Sequence, residues 1–289
     1  MNIYRVFLLA IRPKTLAASV CPVLVGTAMA LKAGSFDFYT FLFTLLTGLE
    51  IQIATNLAND YFDFKKGADT ATRVGPLRVM QARLITHKLM KKWILLTVCC
   101  ILITGSYLIY TGGFIFSLLI AFSILFAILY TAGPFSIAYL GLGELFVFVF
   151  FGPVAVASTY YLQVQQLHML PLIAGAAIGL FSCAIILVNN IRDLSEDFKA
   201  NKMTLAVRIG AQRAKLLYAA FLILAASAPF ALYAWQPLIW LAGLTLLPAF
   251  FLIRELFQVE DPRNFNLILA KTSKLLMIYT LIFSFSWMI

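Results

Sequence analysis

Apolar residues run along this chain in long stretches, at 15–32, 38–58, 93–110, 113–131, 143–162, 168–189, 216–235, 237–257 and 272–289. Each approaches the roughly 20 residues that carry a helix through the hydrocarbon core of a bilayer. The pattern predicts nine transmembrane helices in one bundle, an all-α membrane protein made of a single domain over residues 1–289. Most connections are a handful of residues. Two are long and polar, 59–92 and 190–215, and a third of moderate length covers 254–271. The first two are expected to cap the bundle.

Composition excludes a water-soluble fold. Of 289 residues, 62% are hydrophobic and 12% charged, where a soluble domain carries about 45–50% and about 25%; the mean hydropathy is +0.94. The net charge of +10 would suggest nucleic acid in a soluble protein. In a membrane protein the cations set orientation instead, and no nucleic-acid partner is expected. With nine spans, 21 of the 22 Lys and Arg residues fall on the side of the N-terminus, leaving only Lys32 opposite. The N-terminus and the cap loops are therefore expected in the cytoplasm and the C-terminus outside. Arg12-Pro13-Lys14 interrupts the first short apolar stretch before a longer one begins, which favours a first transmembrane helix over a cleaved signal peptide. Cys21, Cys99, Cys100 and Cys183 lie in apolar runs without C-x-x-C spacing, and His87 and His168 are the sole histidines. Zinc or disulfide chemistry is not expected from them.

The acidic residues segregate as well. Ten of twelve lie in or beside the cytoplasmic connections, Asp37 and Glu50 being the exceptions. Glu50 reads either as a functional intramembrane acid or as one paired with a polar neighbour such as Gln52. Two clusters stand out. The second apolar run ends in Asn56-Leu57-Ala58-Asn59-Asp60-Tyr61-Phe62-Asp63-Phe64-Lys65-Lys66-Gly67-Ala68-Asp69, and the sixth in Asn189-Asn190-Ile191-Arg192-Asp193-Leu194-Ser195-Glu196-Asp197-Phe198-Lys199. Residues four apart share a helix face, so Asn189, Asp193 and Asp197 align. Asn59 and Asp63 repeat that offset, Asn56 and Asp60 lie on the same side, and Gly67 bends the chain to bring Asp69 into the third position. Two copies of one polar pattern suggest a pseudo-repeat whose faces converge. A single juxtamembrane acid is usually a solvated helix end; two matched clusters are not explained that way.

Carboxylates gathered on one cavity repel unless cations join them. Oxygen ligands without His or Cys favour a hard ion such as Mg²⁺, which often shares its site with substrate phosphates. Lys65, Lys66, Arg73, Arg78, Arg192, Lys199 and Lys202 would suit phosphate oxygens, although topology alone accounts for most of the basic residues. The combination describes a diphosphate site at the cytoplasmic mouth of an apolar bundle, with a lipid tail among the helices. A transporter coupled to ions is the alternative from another class, but transporters bind near the midplane, and these acids gather at one mouth. The D-G-x-x-A-R opening of CDP-alcohol phosphotransferases is absent from the sequence.

The chain resembles the UbiA-type intramembrane prenyltransferase superfamily. The likeness rests on Arg12-Pro13-Lys14-Thr15-Leu16, on Asn56 through Asp69, and on Arg73-Val74-Gly75-Pro76-Leu77-Arg78. It continues through Gly133-Pro134, Gly141-Leu142-Gly143-Glu144, Asn189-Asn190-Ile191-Arg192-Asp193 and Lys202-Met203-Thr204-Leu205-Ala206-Val207-Arg208-Ile209-Gly210. Within the superfamily it is most similar to the enzymes of menaquinone biosynthesis that prenylate 1,4-dihydroxy-2-naphthoate. The resemblance implies Mg²⁺-diphosphate ligands at Asn59, Asp60, Asp63 and Asp69 in the first motif and at Asn189, Asp193 and Asp197 in the second. It implies transfer from a polyprenyl diphosphate to a dihydroxynaphthoate, with loss of the carboxylate, in the inner (plasma) membrane. Related acceptors, 1,4-dihydroxy-6-naphthoate and 4-hydroxybenzoate, stay open. Lys66, Lys199 and Lys202 would assist the leaving group, with Arg73 and Arg78 behind them. The rings of Tyr61, Tyr130 and Tyr139 would face an allylic cation.

Overall fold

The computed structural model describes residues 2–68 and 74–289. Among them there are helices and no strands. The elements are α1 (Ile3–Ile11), α2 (Ala17–Lys32), α3 (Phe38–Lys65), α4 (His87–Gly112), α5 (Phe114–Leu129), α6 (Gly143–Val164), α7 (Met169–Arg192), α8 (Leu194–Lys199), α9 (Leu205–Ile209), α10 (Ala211–Ala231), α11 (Pro237–Gln258) and α12 (Pro262–Met288). Seven of these are long and apolar enough to cross a membrane, or up to eight if the bent pair α1–α2 forms one span. Every apolar run in the sequence is helical, but α5 has only 16 residues, about 24 Å at 1.5 Å per residue, short of a core roughly 30 Å thick.

The first long apolar run, at 15–32, forms α2, and the interruption at Arg12-Pro13-Lys14 is a break in the helix. The chain opens on the separate helix α1, bent from α2 by 52°. The break falls at Arg12-Pro13, where Arg12 adopts φ 52° and proline cannot continue the hydrogen-bond ladder. The carbonyl of Ile11, freed at the break, accepts from the Asn56 side-chain amide at 2.8 Å. α1 buries Val6 and Ala10 against Leu57 and Tyr61 of α3, Met90 of α4 and the Val79-Met80 segment.

α7 is the most enclosed of the long helices and packs against α2, α6, α10 and α12. Small residues allow this. A Cβ on Gly152 would lie 2.6 Å from the Gly175 carbonyl oxygen, and one on Gly179 would lie 2.6 Å from that of Phe148. α6 loosens into a π-helical turn at Phe150–Val154, next to Pro153, where the backbones cross. Such small-x-x-x-small contacts are how helices approach closely in lipid. Around α7 the main core includes Phe181, Tyr218, Tyr279 and Phe283.

α3 carries the first polar motif out of the bundle. Its 28 residues span about 42 Å, longer than the core of a bilayer, so its last turns reach the mouth. The other end is clamped by Gln163 at the close of α6: it receives the Asp37 backbone N–H at 2.6 Å and donates to the Asp37 carbonyl at 3.0 Å. At the same end Lys32 donates to the carbonyl of the last residue, Ile289, at 3.0 Å. Glu50 accepts from Thr104 of α4 at 2.7 Å, so this acid is paired, with a partner across the helix interface rather than Gln52.

Candidate active site

A cavity of about 330 Å³ runs into the bundle between α2, α3, α5, α6 and α7. Its wall on α3 extends from Thr44 to Asp63, about 28 Å of helix. The inner part is apolar and aromatic. Phe126, Phe146 and Phe150 line it as a cluster: Phe126 meets the other two edge-on at 4.9 and 5.4 Å, and those two stack at 6.1 Å. The rim is polar, with Asn59, Asp63, Arg78, Asn189, Asn190 and Lys202.

The two acidic motifs meet at this rim. Asp63, 2% exposed, accepts from the Tyr139 hydroxyl at 3.2 Å on one oxygen. Its other oxygen faces Lys202 at 3.3 Å and Arg78 at 3.8 Å. Lys202 also stands 3.6 Å from Asp197, so one ammonium joins carboxylates 134 positions apart in the chain. The loop that holds Lys202 is itself anchored to the second motif, since its backbone N–H donates to the Asp197 carbonyl at 2.8 Å.

Asn59 accepts from Thr131 at 3.0 Å, and Asn189 accepts from Arg192 at 2.7 Å. Arg192 grips both oxygens of Asp193 at 2.7 Å and reaches Asn266 of α12 at 2.8 Å. Charged bidentate pairs of this kind are short and strong; here one ties the end of α7 to α12. Lys66 donates to Ser136 at 2.9 Å and lies 3.9 Å from the centre of the Tyr139 ring. Partial burial, reinforced by the neighbouring Lys202 charge and opposed by Asp63, pulls the Lys66 ammonium below its ordinary pKa.

Other expected site residues are placed elsewhere. Asp60 does not line the cavity. Its oxygens accept the backbone N–H groups of Val79 and Met80 at 3.0 and 3.3 Å, so its carboxylate fastens the 79–80 segment to α3. At about 100° per residue, position 60 sits a full step round the helix from Asn59, which turns it off the cavity face. Asn56 lines the cavity, but its amide also donates to Ile11 and Thr15. Tyr61 lies edge-on to His87, away from the cavity. Tyr130 lines the cavity, while Lys65 and Lys199 are exposed. Asp69 and Arg73 lie outside the described residues.

Among the described residues no three carboxylate, imidazole or thiol groups converge to hold a metal ion as they stand. Asp63, Asp193 and Asp197 are instead engaged by cations. The donor chemistry nevertheless fits a hard ion: Asn59, Asp63 and Asn189 on the rim, with Asp197 joined to it through Lys202 and Asp193 through Arg192, offer only amide and carboxylate oxygens.

The sequence reading missed Glu144 as a site residue. Its side chain lines the cavity and is 4% exposed, and it accepts from Asn190 at 2.9 Å. Neighbouring Gly143 is required by the Tyr130 phenol, which would lie 2.6 Å from any Cβ there. The Phe146–Phe150 pair was also missed, although its four-residue spacing was visible on α6.

The sequence model described as the UbiA prenyltransferase family matches residues 19–275. The chain is 36% identical over 285 residues to 1,4-dihydroxy-2-naphthoate octaprenyltransferase of Escherichia coli K12, covering 95% of this chain and 92% of that one. It is 34% identical over 289 residues to the protein of the same name from Haemophilus influenzae, covering 96% and 94%. In fold it matches the structure of a UbiA homolog from Archaeoglobus fulgidus bound to GPP and Mg²⁺, with a TM-score of 0.69 at 15% identity, covering 98% of this chain and 99% of that one.

Proposed function

The chain belongs to the UbiA prenyltransferase family and is a multi-pass membrane enzyme, an aromatic prenyltransferase, and from that premise we propose that it transfers a polyprenyl group from its diphosphate to 1,4-dihydroxy-2-naphthoate. The carboxylate would leave as CO₂ and the product would be the prenylated naphthalenediol, the reduced form of demethylmenaquinone. The relatives named for this acceptor support the choice. The observation that carries the reading is Lys202 standing between Asp63 and Asp197 at the mouth of an apolar cavity.

Mg²⁺, held by Asn59, Asp63, Asn189, Asp193 and Asp197, with Asp69 as a further candidate, would neutralise charge on the diphosphate. Asp60 would act by holding the 79–80 segment in place. Lys202 and Arg78, already at the rim, would turn to the phosphate oxygens, and Lys66 would join them with its ammonium near Tyr139. Arg192 and Asn189 would fix the second motif. Lys65 and Lys199, both exposed, would be reserve cations, and Arg73 stays a candidate from the sequence alone. The prenyl tail would occupy the apolar cavity. Tyr130 and the phenylalanine cluster would present ring faces to the allylic cation formed when the C–O bond breaks. The segments 59–92 and 190–215 would exclude water that could quench it.

The same reading places nine helices across the inner membrane, with the N-terminus and both cap segments cytoplasmic and the C-terminus outside. Purified protein in liposomes, given Mg²⁺, geranylgeranyl diphosphate and each acceptor in turn, tests the proposal by mass spectrometry. A decarboxylated prenyl naphthalenediol, formed from 1,4-dihydroxy-2-naphthoate and abolished by EDTA, is the expected result. Product only from 4-hydroxybenzoate or the 6-naphthoate isomer would contradict the acceptor assignment.

A further inference from the structure

Glu144 is an acid in the cavity that neither acidic motif contains. It sits in the first turn of α6, with one oxygen fixed by the Asn190 amide at 2.9 Å. Among the described residues its second oxygen, Oε2, has no hydrogen-bond partner although it is buried. A buried unsatisfied carboxylate oxygen is costly, and among the described residues no basic group pairs with it to offset that cost. Cys183 donates to the Glu144 backbone carbonyl, and the Asn190 amide is neutral. Tyr130 lies beside Gly143. The side chain is nevertheless held still, by Asn190 on one side and the packed α6–α7 crossing on the other.

We infer that Oε2 of Glu144 receives the ring hydroxyl of the aromatic acceptor and takes its proton as the ring carbon attacks the allylic cation. The inference rests on the prenyl-transfer reading above and adds to it the seat of the acceptor. The donor C–O bond breaks, and the electron pair leaves with the diphosphate. The new C–C bond forms at the ring carbon bearing the carboxylate, next to the hydroxyl carbon, while the hydroxyl proton passes to Glu144. The ring oxygen is then a ketone β to the carboxylate. Loss of CO₂ breaks the bond between the ring carbon and the carboxylate and returns its electron pair to the ring, and the proton returns from Glu144 to the ring oxygen. No oxidant or reductant is needed, and no net proton is consumed. Asn190 orients the carboxylate and leaves Oε2 pointing to the acceptor. The site also selects for an acceptor with a hydroxyl, since a ring lacking one would leave Oε2 buried and unpaired.

The test uses full-length protein in liposomes with Mg²⁺, geranylgeranyl diphosphate and 1,4-dihydroxy-2-naphthoate. Glu144→Gln keeps the shape and removes the base. Its kcat is expected to fall by about 100-fold or more, while the Kd for the donor diphosphate stays within about threefold. Raising the pH ionises the acceptor hydroxyl in solution, so Glu144→Gln should recover part of its rate at high pH while Glu144→Asp retains activity near neutrality. A structural role alone would not produce that pH-dependent rescue. Glu144→Gln turnover within threefold of the unmutated protein would overturn the inference. So would an equal loss at every pH together with weakened donor binding. Failure of the unmutated protein to prenylate any phenolic acceptor would overturn the prenyl-transfer reading itself, and is recognised without the variant.

Discussion

Asp63→Asn is expected to lower prenyl transfer by about 100-fold or more, the order lost when one preorganised charge partner is removed from a transition state. Three groups meet on this carboxylate: the Tyr139 hydroxyl at 3.2 Å, Lys202 at 3.3 Å and Arg78 at 3.8 Å. Asparagine matches aspartate in shape and still accepts a hydrogen bond, so the helix end should keep its form while the rim loses a negative charge that both the cations and Mg²⁺ need. Initial rates of product formation, with size-exclusion profiles as a control on folding, measure the effect. A well-folded variant with near-normal turnover would remove Asp63 from the site.

Asp193→Ala should harm both stability and turnover. Its partner Arg192 has a side chain only 1% exposed, and removing one member of a buried ion pair strands the other at a cost of about 3–5 kcal/mol. Arg192 also reaches Asn189 and Asn266, so its release loosens the α7 end from α12. Adding Arg192→Met to Asp193→Ala should restore much of the thermal stability, because a charge-free pair replaces a broken one, while turnover stays low. Recovery of turnover with stability would reduce Asp193 to a purely structural residue.

Much of this architecture was legible in the pattern of apolar runs because lipid leaves a spanning segment few conformations. What periodicity could not show was how a run begins or ends. The short stretch before Arg12-Pro13 forms a helix of its own, α1, and α5 proved shorter than its apolar stretch. Face periodicity groups Asn59, Asp63 and Asn189, which all line one cavity, but it also aligns Asp193 and Asp197, which fall past the end of α7 and do not line it. It could not separate Asp60, which lies at the edge of that face and was captured by two backbone N–H groups of a segment 19 residues away in sequence. Lys202 is one of three lysines that the sequence assigns to the leaving group; only the fold of the 200–204 segment puts it between two acids. Glu144, read only as part of the family likeness, escaped notice as a site residue for a related reason. It stands alone at a helix start, where an acid is ordinarily favourable and unremarked, and its burial becomes evident only when α7 brings Asn190 against it.

The central claim is that two motifs far apart in sequence make one diphosphate site. A double-mutant cycle on Asp63→Asn and Asp197→Asn tests it most directly, with the rate of Mg²⁺-dependent prenyl transfer as the readout. Groups acting as a unit are strongly non-additive, so each single variant should lose about 100-fold and the double should fall only about as far as the worse single. Losses that multiply, to about 10⁴-fold, would show two carboxylates working independently and would contradict the account.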